Sequence, residues 1–253
     1  MGNGAELQLA LRCSDLAAEL ALMHYRAGVE VTIKRDGTPV TEADRAVEHL
    51  LHESIGAAVP EDALLGEEFG HLGDSERVWI LDPIDGTSFF SRRDPNWRVH
   101  IAFEASGRTE VAVVTAPALG RQWWATRGGG AFESSWPRLG DEVRLSVTST
   151  SIMKEAVLDA LDDDSRGRLP REATIAPPSP LALVELVRGE IDGFLAECCH
   201  VWDHAPWILL VEEAGGRFTD RTGGHGGDAG GGLYSNSGLH TELLAAIGYP
   251  TRP

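Results

Sequence analysis

A short apolar run, 78-VWIL-81, leads directly into Asp-Pro-Ile-Asp-Gly-Thr at residues 82–87. The run predicts a buried strand, and Pro83 predicts that this strand ends there in a turn. The carboxylates of Asp82 and Asp85 then share the end of the strand, and they repel each other unless a cation lies between them. Carboxylate oxygens at this density favour Mg²⁺ over Zn²⁺. The alternative is an ordinary turn in which the acids bond only to nearby backbone.

The residues after Asp85 suit a bound anion. Gly86 allows a ligand to approach the backbone closely, and N–H groups of Gly86 and Thr87, at a turn or helix start, can hold a phosphate. Further acids stand at predicted strand ends and helix starts: Glu67, Glu68, Asp44 and Asp203. For the two at helix starts, Asp44 and Asp203, helix capping is the ordinary alternative role.

The bulk composition narrows the classes of partner. The chain has 253 residues and a formal net charge of −17, which argues against a nucleic-acid-binding surface. No apolar run reaches the roughly 18 residues that a membrane helix needs, and the N-terminus lacks the pattern of a signal peptide. The three cysteines form neither a metal-binding spacing nor a disulfide framework. We therefore predict a cytoplasmic protein without nucleic-acid or membrane partners.

The order of predicted elements divides the chain into two halves, 1–147 and 148–253. The first half begins with helices over 5–27 and 41–55 and ends in an antiparallel meander over 99–147. The second half alternates helices and strands, which is typical of an α/β arrangement. Its predicted elements are helices over 180–189, 203–214 and 239–247 and strands over 191–196 and 233–237. We expect residues 162–164 to form a solvated loop and the glycine-rich 223–232 to form a flexible one.

Three motifs in this order, 66-GEE-68, 82-DPIDGT-87 and 202-WD-203 followed by 213-EAGG-216, resemble the inositol monophosphatase superfamily. Two further stretches, 34–48 and 116–132, are similar to its histidinol-phosphate phosphatase branch. The resemblance implies a layered αβαβα sandwich and a Mg²⁺-dependent phosphomonoesterase that acts on a small-molecule phosphate ester. It also implies a homodimer, for which Trp123 and Trp124 suggest one ring in the core and one at an interface.

The resemblance further implies a role for each motif residue. Two or three Mg²⁺ ions would be held by the following groups: Glu67, Asp82 and the Ile84 carbonyl for the first ion, Asp82, Asp85 and Asp203 for the second, and Glu67 for a third. The phosphate and the attacking water would be bound or activated by the following residues: Gly86, Thr87, Lys34, Glu68 and Asp44, the last through the Thr87 hydroxyl. An in-line displacement without a covalent intermediate would follow.

The sequence also departs from the family pattern. Asn-Phe usually follows two residues after the threonine, whereas this chain has 88-SFF-90. The basic residues Arg92, Arg93 and Arg98 belong either to a solvated loop or to a site for a second anionic group of the substrate. Glu197 is either a surface acid or a contact to a polar or cationic substrate group.

Three substrate classes therefore compete: histidinol phosphate, which the resemblance favours, inositol or sugar monophosphates, and a nucleotide or a specialised-pathway intermediate. A catalytically idle relative that only binds metal is a fourth alternative.

Overall fold

The computed structural model describes residues 3–28, 31–33, 39–138, 140–197 and 199–250, with the backbone alone for residues 33, 39 and 228. The described chain divides into two compact units. The first comprises Met1–Arg127 with Phe132–Val143, and the second comprises Gly128–Ala131 with Arg144–Pro253. Across the described residues, no helix combines the length and the apolar character needed to cross a bilayer.

The first unit is built on an eight-stranded sheet with the order β10-β9-β8-β7-β6-β5-β3-β4. Its helices are α1 (Gly4–Ala27), α2 (Glu42–Ala58) and α3 (Thr87–Ser91). A separate hairpin consists of β1 (Val31–Ile33) and β2 (Pro39–Thr41). The sheet strands are β3 (Ala63–Gly66), β4 (Gly70–Leu72), β5 (Arg77–Asp85), β6 (Arg98–Ala105), β7 (Arg108–Ala116), β8 (Arg121–Thr126), β9 (Gly130–Ser135) and β10 (Val143–Arg144). Strand β3 runs parallel to β5, and the pairs from β5 to β8 are antiparallel, which confirms the predicted meander for β6 to β8.

Helices α1 and α2 cover one face of this sheet. Fully buried alanines of α1 recur at helical spacing, and the helix ends at Gly28, whose φ of 86° is left-handed. Helix α2 buries Val47, Leu51 and Ile55 every fourth residue. These side chains form one core with strand residues such as Trp79 and Ile101.

The second unit contains a five-stranded sheet with the order β12-β11-β13-β15-β14. Its strands are β11 (Val157–Ala160), β12 (Thr174–Ile175), β13 (Gly193–Glu197), β14 (Gly216–Asp220) and β15 (Gly231–Asn236). Its helices are α4 (Asp163–Arg168), α5 (Ala182–Val187), α6 (Val201–Glu213) and α7 (His240–Ile247), with 3-10 turns at Met153–Glu155 and Gly227–Ala229. Leucines 158, 195 and 233 pack with α7 in a core of their own.

Several local predictions are wrong for identifiable reasons. Residues 162–164 are exposed but not a loop, because the Asp162 side chain accepts a hydrogen bond from the Ser165 N–H at 2.7 Å and caps α4. The glycine-rich stretch 223–232 is not a loop over its whole length, because Gly231 and Gly232 begin the buried strand β15. A Cβ on Gly232 would lie 2.5 Å from the Phe218 ring and from the Thr219 carbonyl oxygen, so the glycine permits close strand packing.

Two further expectations need correction. The rings of Trp123 and Trp124 are both buried within the chain, at 1% and 6% exposure, so neither is presented for an interface. Asp203 is not the N-cap of its helix; α6 begins after His200, and Asp203 is the third helical residue.

Candidate active site

The aspartates of the DPIDGT motif lie on the same face of the sheet because β5 contains a bulge. Residues three apart in a regular strand point to opposite faces. Strand β5 does not end at Pro83, as the sequence predicted, but continues to Asp85 with a shift in register. Asp82 pairs with His100 and Asp85 pairs with Arg98, so three steps along β5 match two along β6. The extra residue turns Asp85 back to the face of Asp82.

This arrangement gathers three side chains that can bind a metal. One ligand atom each from Asp82, Asp85 and His100 lies within 4.8 Å of the other two. Asp82 and His100 are each 1% exposed, and the Ile84 N–H donates to Asp82 Oδ1 at 3.0 Å. Buried carboxylates this close repel each other unless a positive charge is present. The donor set therefore fits a divalent cation, with oxygen ligands that suit Mg²⁺.

His100 is a site residue that the sequence reasoning missed. It lies in a strand whose odd-numbered residues, such as Val99 and Ile101, face the helical core. Alternation places the even-numbered residues on the opposite face. The alternation is visible in the sequence 99-VHIAF-103. The sequence does not show, however, that β6 pairs with the strand that carries the DPIDGT motif.

Arg98 contacts the same cluster and does not belong to a solvated loop, because it begins strand β6; its predicted role toward a second anionic group stays a prediction. Its side chain is only 12% exposed, and its Nε donates to Asp85 Oδ2 at 2.8 Å. His100 Nε2 lies 3.5 Å from the same oxygen. Burial acts to raise the pKa of Asp85, but the charges of Arg98 and His100 and the Arg98 hydrogen bond outweigh it, and the pKa is lowered. Arg98 is thus an ion-pair partner of a candidate metal ligand.

Asp44 and Thr87 form the hydrogen-bonded pair that the resemblance implied. The Thr87 hydroxyl lies 3.1 Å from Asp44 Oδ1 and 3.2 Å from the Ile84 carbonyl oxygen, and it can donate to either. Asp44 Oδ2 accepts from the Thr41 N–H and hydroxyl at 2.7 and 2.6 Å, which completes a capping box. Burial raises the pKa of Asp44, although the hydrogen bonds from Thr41 and Thr87 act to lower it.

Gly86 links the metal cluster to α3. Its φ of 83° is left-handed, and a Cβ there would lie 3.1 Å from the Asn96 carbonyl oxygen. Glycine is therefore required at this position. In the departing stretch that follows, Phe90 packs in the core against Trp97, with ring centroids 4.9 Å apart. The Arg92 guanidinium is exposed and lies 5.5 Å from the Phe89 ring centroid.

A second missed residue, Glu48, holds the turn that carries Glu67 and Glu68. The buried Glu48 carboxylate accepts the N–H groups of Glu68 and Phe69 at 2.8 and 2.9 Å. Gly66 makes room for it, since a Cβ there would lie 1.9 Å from Glu48 Oε1. Gly66, the last residue of β3, pairs with Leu81 in the parallel strand β5. The Glu67 turn therefore begins at the level of Asp82, the first residue of the DPIDGT motif.

The remaining predicted residues lie elsewhere or outside the described part. Lys34 falls outside the described residues. In the second unit, Asp203 Oδ2 accepts the His200 N–H at 2.6 Å at the start of α6. Glu197 is not a simple surface acid, because its Oε1 accepts from the Arg168 guanidinium at 2.5 Å and from the Tyr249 hydroxyl at 2.7 Å.

Comparisons with known proteins identify the family of this chain. A model of the inositol monophosphatase family matches residues 7–248. A Mycobacterium tuberculosis protein named histidinol-phosphatase is 38% identical, with 96% of this chain and 97% of that protein covered. A Streptomyces griseus protein named glucose-1-phosphate thymidylyltransferase is 40% identical over 88% of each chain.

A solved structure supports the fold as well. The IMPase of Thermotoga maritima matches 96% of this chain and 97% of its own, with a TM-score of 0.81 and 27% identity. This likeness confirms the predicted α/β sandwich class. The family match and the relatives confirm the predicted enzyme class, a phosphoric monoester hydrolase. The chain belongs to the inositol monophosphatase family.

Proposed function

We propose that this enzyme is a Mg²⁺-dependent histidinol-phosphate phosphatase, which releases histidinol and inorganic phosphate and serves histidine biosynthesis. The observation that carries the choice of substrate is the 38% identity to a protein named histidinol-phosphatase over nearly the whole of both chains. The site chemistry supports the reaction type, because the Asp82 and Asp85 carboxylates and the left-handed Gly86 are grouped at the end of β5.

The proposed metal site follows the ligand assignment that the family resemblance implies. Asp82, Asp85, the Ile84 carbonyl, Glu67 and Asp203 would hold two or three Mg²⁺ ions. The chemistry supplied there is Lewis acidity, which promotes ionisation of water and stabilises the leaving oxygen of the ester. Arg98 and His100 both lie beside the Asp85 carboxylate and favour its charged form.

The protein groups around this site would orient the ester and the water. Backbone N–H groups at Gly86 and Thr87 would bind phosphate oxygens. When the Thr87 hydroxyl donates to Asp44, its oxygen can accept a hydrogen bond from the attacking water. The raised pKa of Asp44 suits a group that takes up a proton. Glu68 and Lys34 would complete the water and phosphate contacts, and Arg92 and Glu197 would contact the rest of the substrate.

A sugar or cyclitol phosphate is the second candidate, and the environment of Glu197 favours it. Histidinol carries an ammonium group, which an unpaired carboxylate would recognise well. The Glu197 carboxylate already pairs with Arg168 and Tyr249. A neutral polyol would not need that charge. The name of the Streptomyces griseus relative refers to a sugar phosphate and a nucleotide, so nucleotides and specialised-pathway intermediates remain alternative substrates.

The assay measures phosphate release from histidinol phosphate, inositol 1-phosphate, glucose 1-phosphate and a nucleoside monophosphate, each with Mg²⁺ and with EDTA. A parallel reaction with dTTP and glucose 1-phosphate is tested for pyrophosphate release. We expect the highest kcat/KM for histidinol phosphate, and only with Mg²⁺. Fast release from another ester with none from histidinol phosphate would refute the proposed substrate.

We further propose that the chain acts as a cytoplasmic homodimer and that its two halves span residues 1–147 and 148–253. Light scattering that returns the mass of a single chain at micromolar concentration would refute the dimer.

A further inference from the structure

Arg93 has a backbone conformation that few residues other than glycine adopt. Its φ is 59°, in the left-handed region, directly after Arg92, the C-cap of α3. A side chain in this region costs free energy, and such a conformation persists only where the surrounding contacts hold it. The explanation for Arg93 therefore lies in its contacts with the rest of the chain.

Two contacts join Arg93 to the end of α1. The Tyr25 hydroxyl donates to the Arg93 carbonyl oxygen at 2.7 Å. The Arg93 guanidinium donates to the Ala27 carbonyl oxygen at 3.4 Å, at a helix terminus where a positive charge is favourable. A Cβ on Gly28 would lie 2.7 Å from Arg93 Nη2, so the guanidinium packs closely against this glycine. The two hydrogen bonds span 68 and 66 residues of sequence, so no local preference of the chain produces them.

An aromatic cluster reinforces the same junction. The Tyr25 ring centroid lies 5.5 Å from that of Phe90 and 5.4 Å from that of Trp97. Phe90 and Trp97 are buried in the core of the first unit. Tyr25 thus contacts the segment after Thr87 through both its ring and its hydroxyl. We call the pair of Tyr25 and Arg93 the latch.

The latch closes a ring of contacts that contains Thr87. On one side, a backbone hydrogen bond of 3.1 Å connects Arg93 to Phe90 and so to α3, which begins at Thr87. On the other side, the chain continues from α1 through β1 and β2 to Thr41, which holds the Asp44 carboxylate. The two sides meet where the Thr87 hydroxyl lies 3.1 Å from Asp44 Oδ1.

We propose that Tyr25 and Arg93 are positioning residues that keep α3 docked on α1 and so hold the Thr87 hydroxyl within reach of Asp44. This inference rests on the proposed function, in which the pair of Asp44 and Thr87 orients the attacking water. Without the latch, the junction between α3 and α1 loosens, and the Thr87 hydroxyl spends part of its time away from Asp44. The left-handed backbone lets the Arg93 carbonyl reach Tyr25 while the side chain reaches Ala27.

Amide hydrogen exchange, read by peptide mass spectrometry on the full chain without substrate, measures the docking of α3 directly. Tyr25→Phe removes the hydroxyl donor and keeps the ring. Arg93→Gly removes the guanidinium and keeps the left-handed conformation. Loss of one hydrogen bond should raise the exchange rate across residues 86–94 roughly 2- to 10-fold in either variant. Arg93→Lys keeps a cationic donor and should exchange like the wild type.

Ser106→Gly is the matched control for Arg93→Gly. Ser106 also has a left-handed φ, 52°, and lies in the turn between β6 and β7, so this change likewise replaces a strained residue with glycine. It should alter neither exchange over residues 86–94 nor phosphate release. Urea unfolding of each variant, followed by circular dichroism, separates a change in stability from a change at the site.

Phosphate release from the ester that the wild type hydrolyses best is the second measurement. A displacement of about 1 Å at a catalytic group can lower a rate by about 100-fold. A partial loss of the contact between Thr87 and Asp44 should therefore lower kcat about 3- to 10-fold. Because this contact acts on the reacting water, kcat and kcat/KM should fall together in Tyr25→Phe and Arg93→Gly. Arg93→Lys should retain most of the rate.

Faster exchange together with a lower kcat, both absent from Ser106→Gly, supports the proposal. Unchanged exchange in folded latch variants overturns it. Faster exchange with an unchanged kcat also overturns it, because the latch then does not position Thr87. If the wild type hydrolyses none of the esters, the proposed function fails separately; faster exchange still supports the latch in that case, and unchanged exchange overturns it.

Discussion

Replacing Glu48 should damage both the stability of the first unit and its metal binding, although Glu48 is not a proposed ligand. Its carboxylate is fully buried and accepts two backbone N–H groups, from Glu68 and Phe69, at 2.8 and 2.9 Å. A hydrogen bond to a charged group contributes about 1.5–3 kcal/mol. Glu48→Ala removes two such bonds, so we expect a loss of about 3–6 kcal/mol in the free energy of unfolding.

Glu48→Gln is the milder change. The amide keeps one acceptor oxygen but turns an NH₂ group toward the second N–H, so about half of that loss is expected, roughly 1.5–3 kcal/mol. Because the two N–H groups belong to the turn that carries Glu67, the half-saturating Mg²⁺ concentration for phosphate release should rise in both variants. A change in kcat at saturating Mg²⁺ should be smaller than this shift.

Urea unfolding followed by circular dichroism measures the stability loss, and a Mg²⁺ titration of phosphate release measures the metal effect. Glu53→Gln is the matched control, because Glu53 lies on the same helix and pairs with His49 at 3.4 Å, but both side chains are more than 60% exposed. Its effect should stay within about 0.5 kcal/mol. If Glu48→Ala costs less than about 1 kcal/mol and leaves the Mg²⁺ dependence unchanged, the turn is held by strand pairing alone and our reasoning is wrong.

Three further predictions concern other parts of the chain. Asp82→Asn should abolish phosphate release while the urea midpoint stays at or above that of the wild type, since it relieves repulsion with Asp85; retained activity would exclude Asp82 from the mechanism. Burial lowers the pKa of His204 and of His240 from 6.5 to about 4, so on acidification the unfolded chain takes up protons first. The stability of the second unit should therefore be complete above about pH 6.5 and fall by roughly 2 kcal/mol per histidine at pH 5, and His240→Gln should remove about half of that pH dependence in thermal melts. Burial raises the pKa of the Cys13 thiol to about 11, so iodoacetamide at pH 8 should label Cys13 only after denaturation, as read by peptide mass spectrometry; rapid labelling of the native protein would contradict this.

Local sequence signals predicted those parts of the structure that depend on near neighbours. Thr41 and Asp44 are three residues apart, and their capping box starts α2 as expected. The end of α1 at Gly28 and the proximity of Asp82 to Asp85 were similarly accessible. In each case the interacting groups lie within a few residues of each other, so a short window of sequence contains the whole interaction.

The site residues that were missed depend on contacts between distant segments. Glu48 looks like one more polar residue of an amphipathic helix, and its partners lie 20 and 21 residues away. His100 reaches the aspartates only through the pairing of β5 with β6, and the same pairing brings Arg98, whose contact with Asp85 was not predicted, to that carboxylate. The composition of the glycine-rich stretch led to a wrong loop prediction for a related reason. Gly232 lies in a strand where the Phe218 ring leaves no room for a Cβ, and no local pattern reveals that contact.

The bulge in β5 constrains how this chain can change over evolution or by design. Side chains between Asp82 and Asp85 can be exchanged without altering the frame in which the two strands pair. A single inserted or deleted residue, in contrast, reverses the face to which every later side chain of the strand points. The number of residues between the aspartates is therefore a constraint separate from the packing of the buried Ile84 side chain. A designer who moves this motif to another sheet must transfer the interruption in pairing together with the acids.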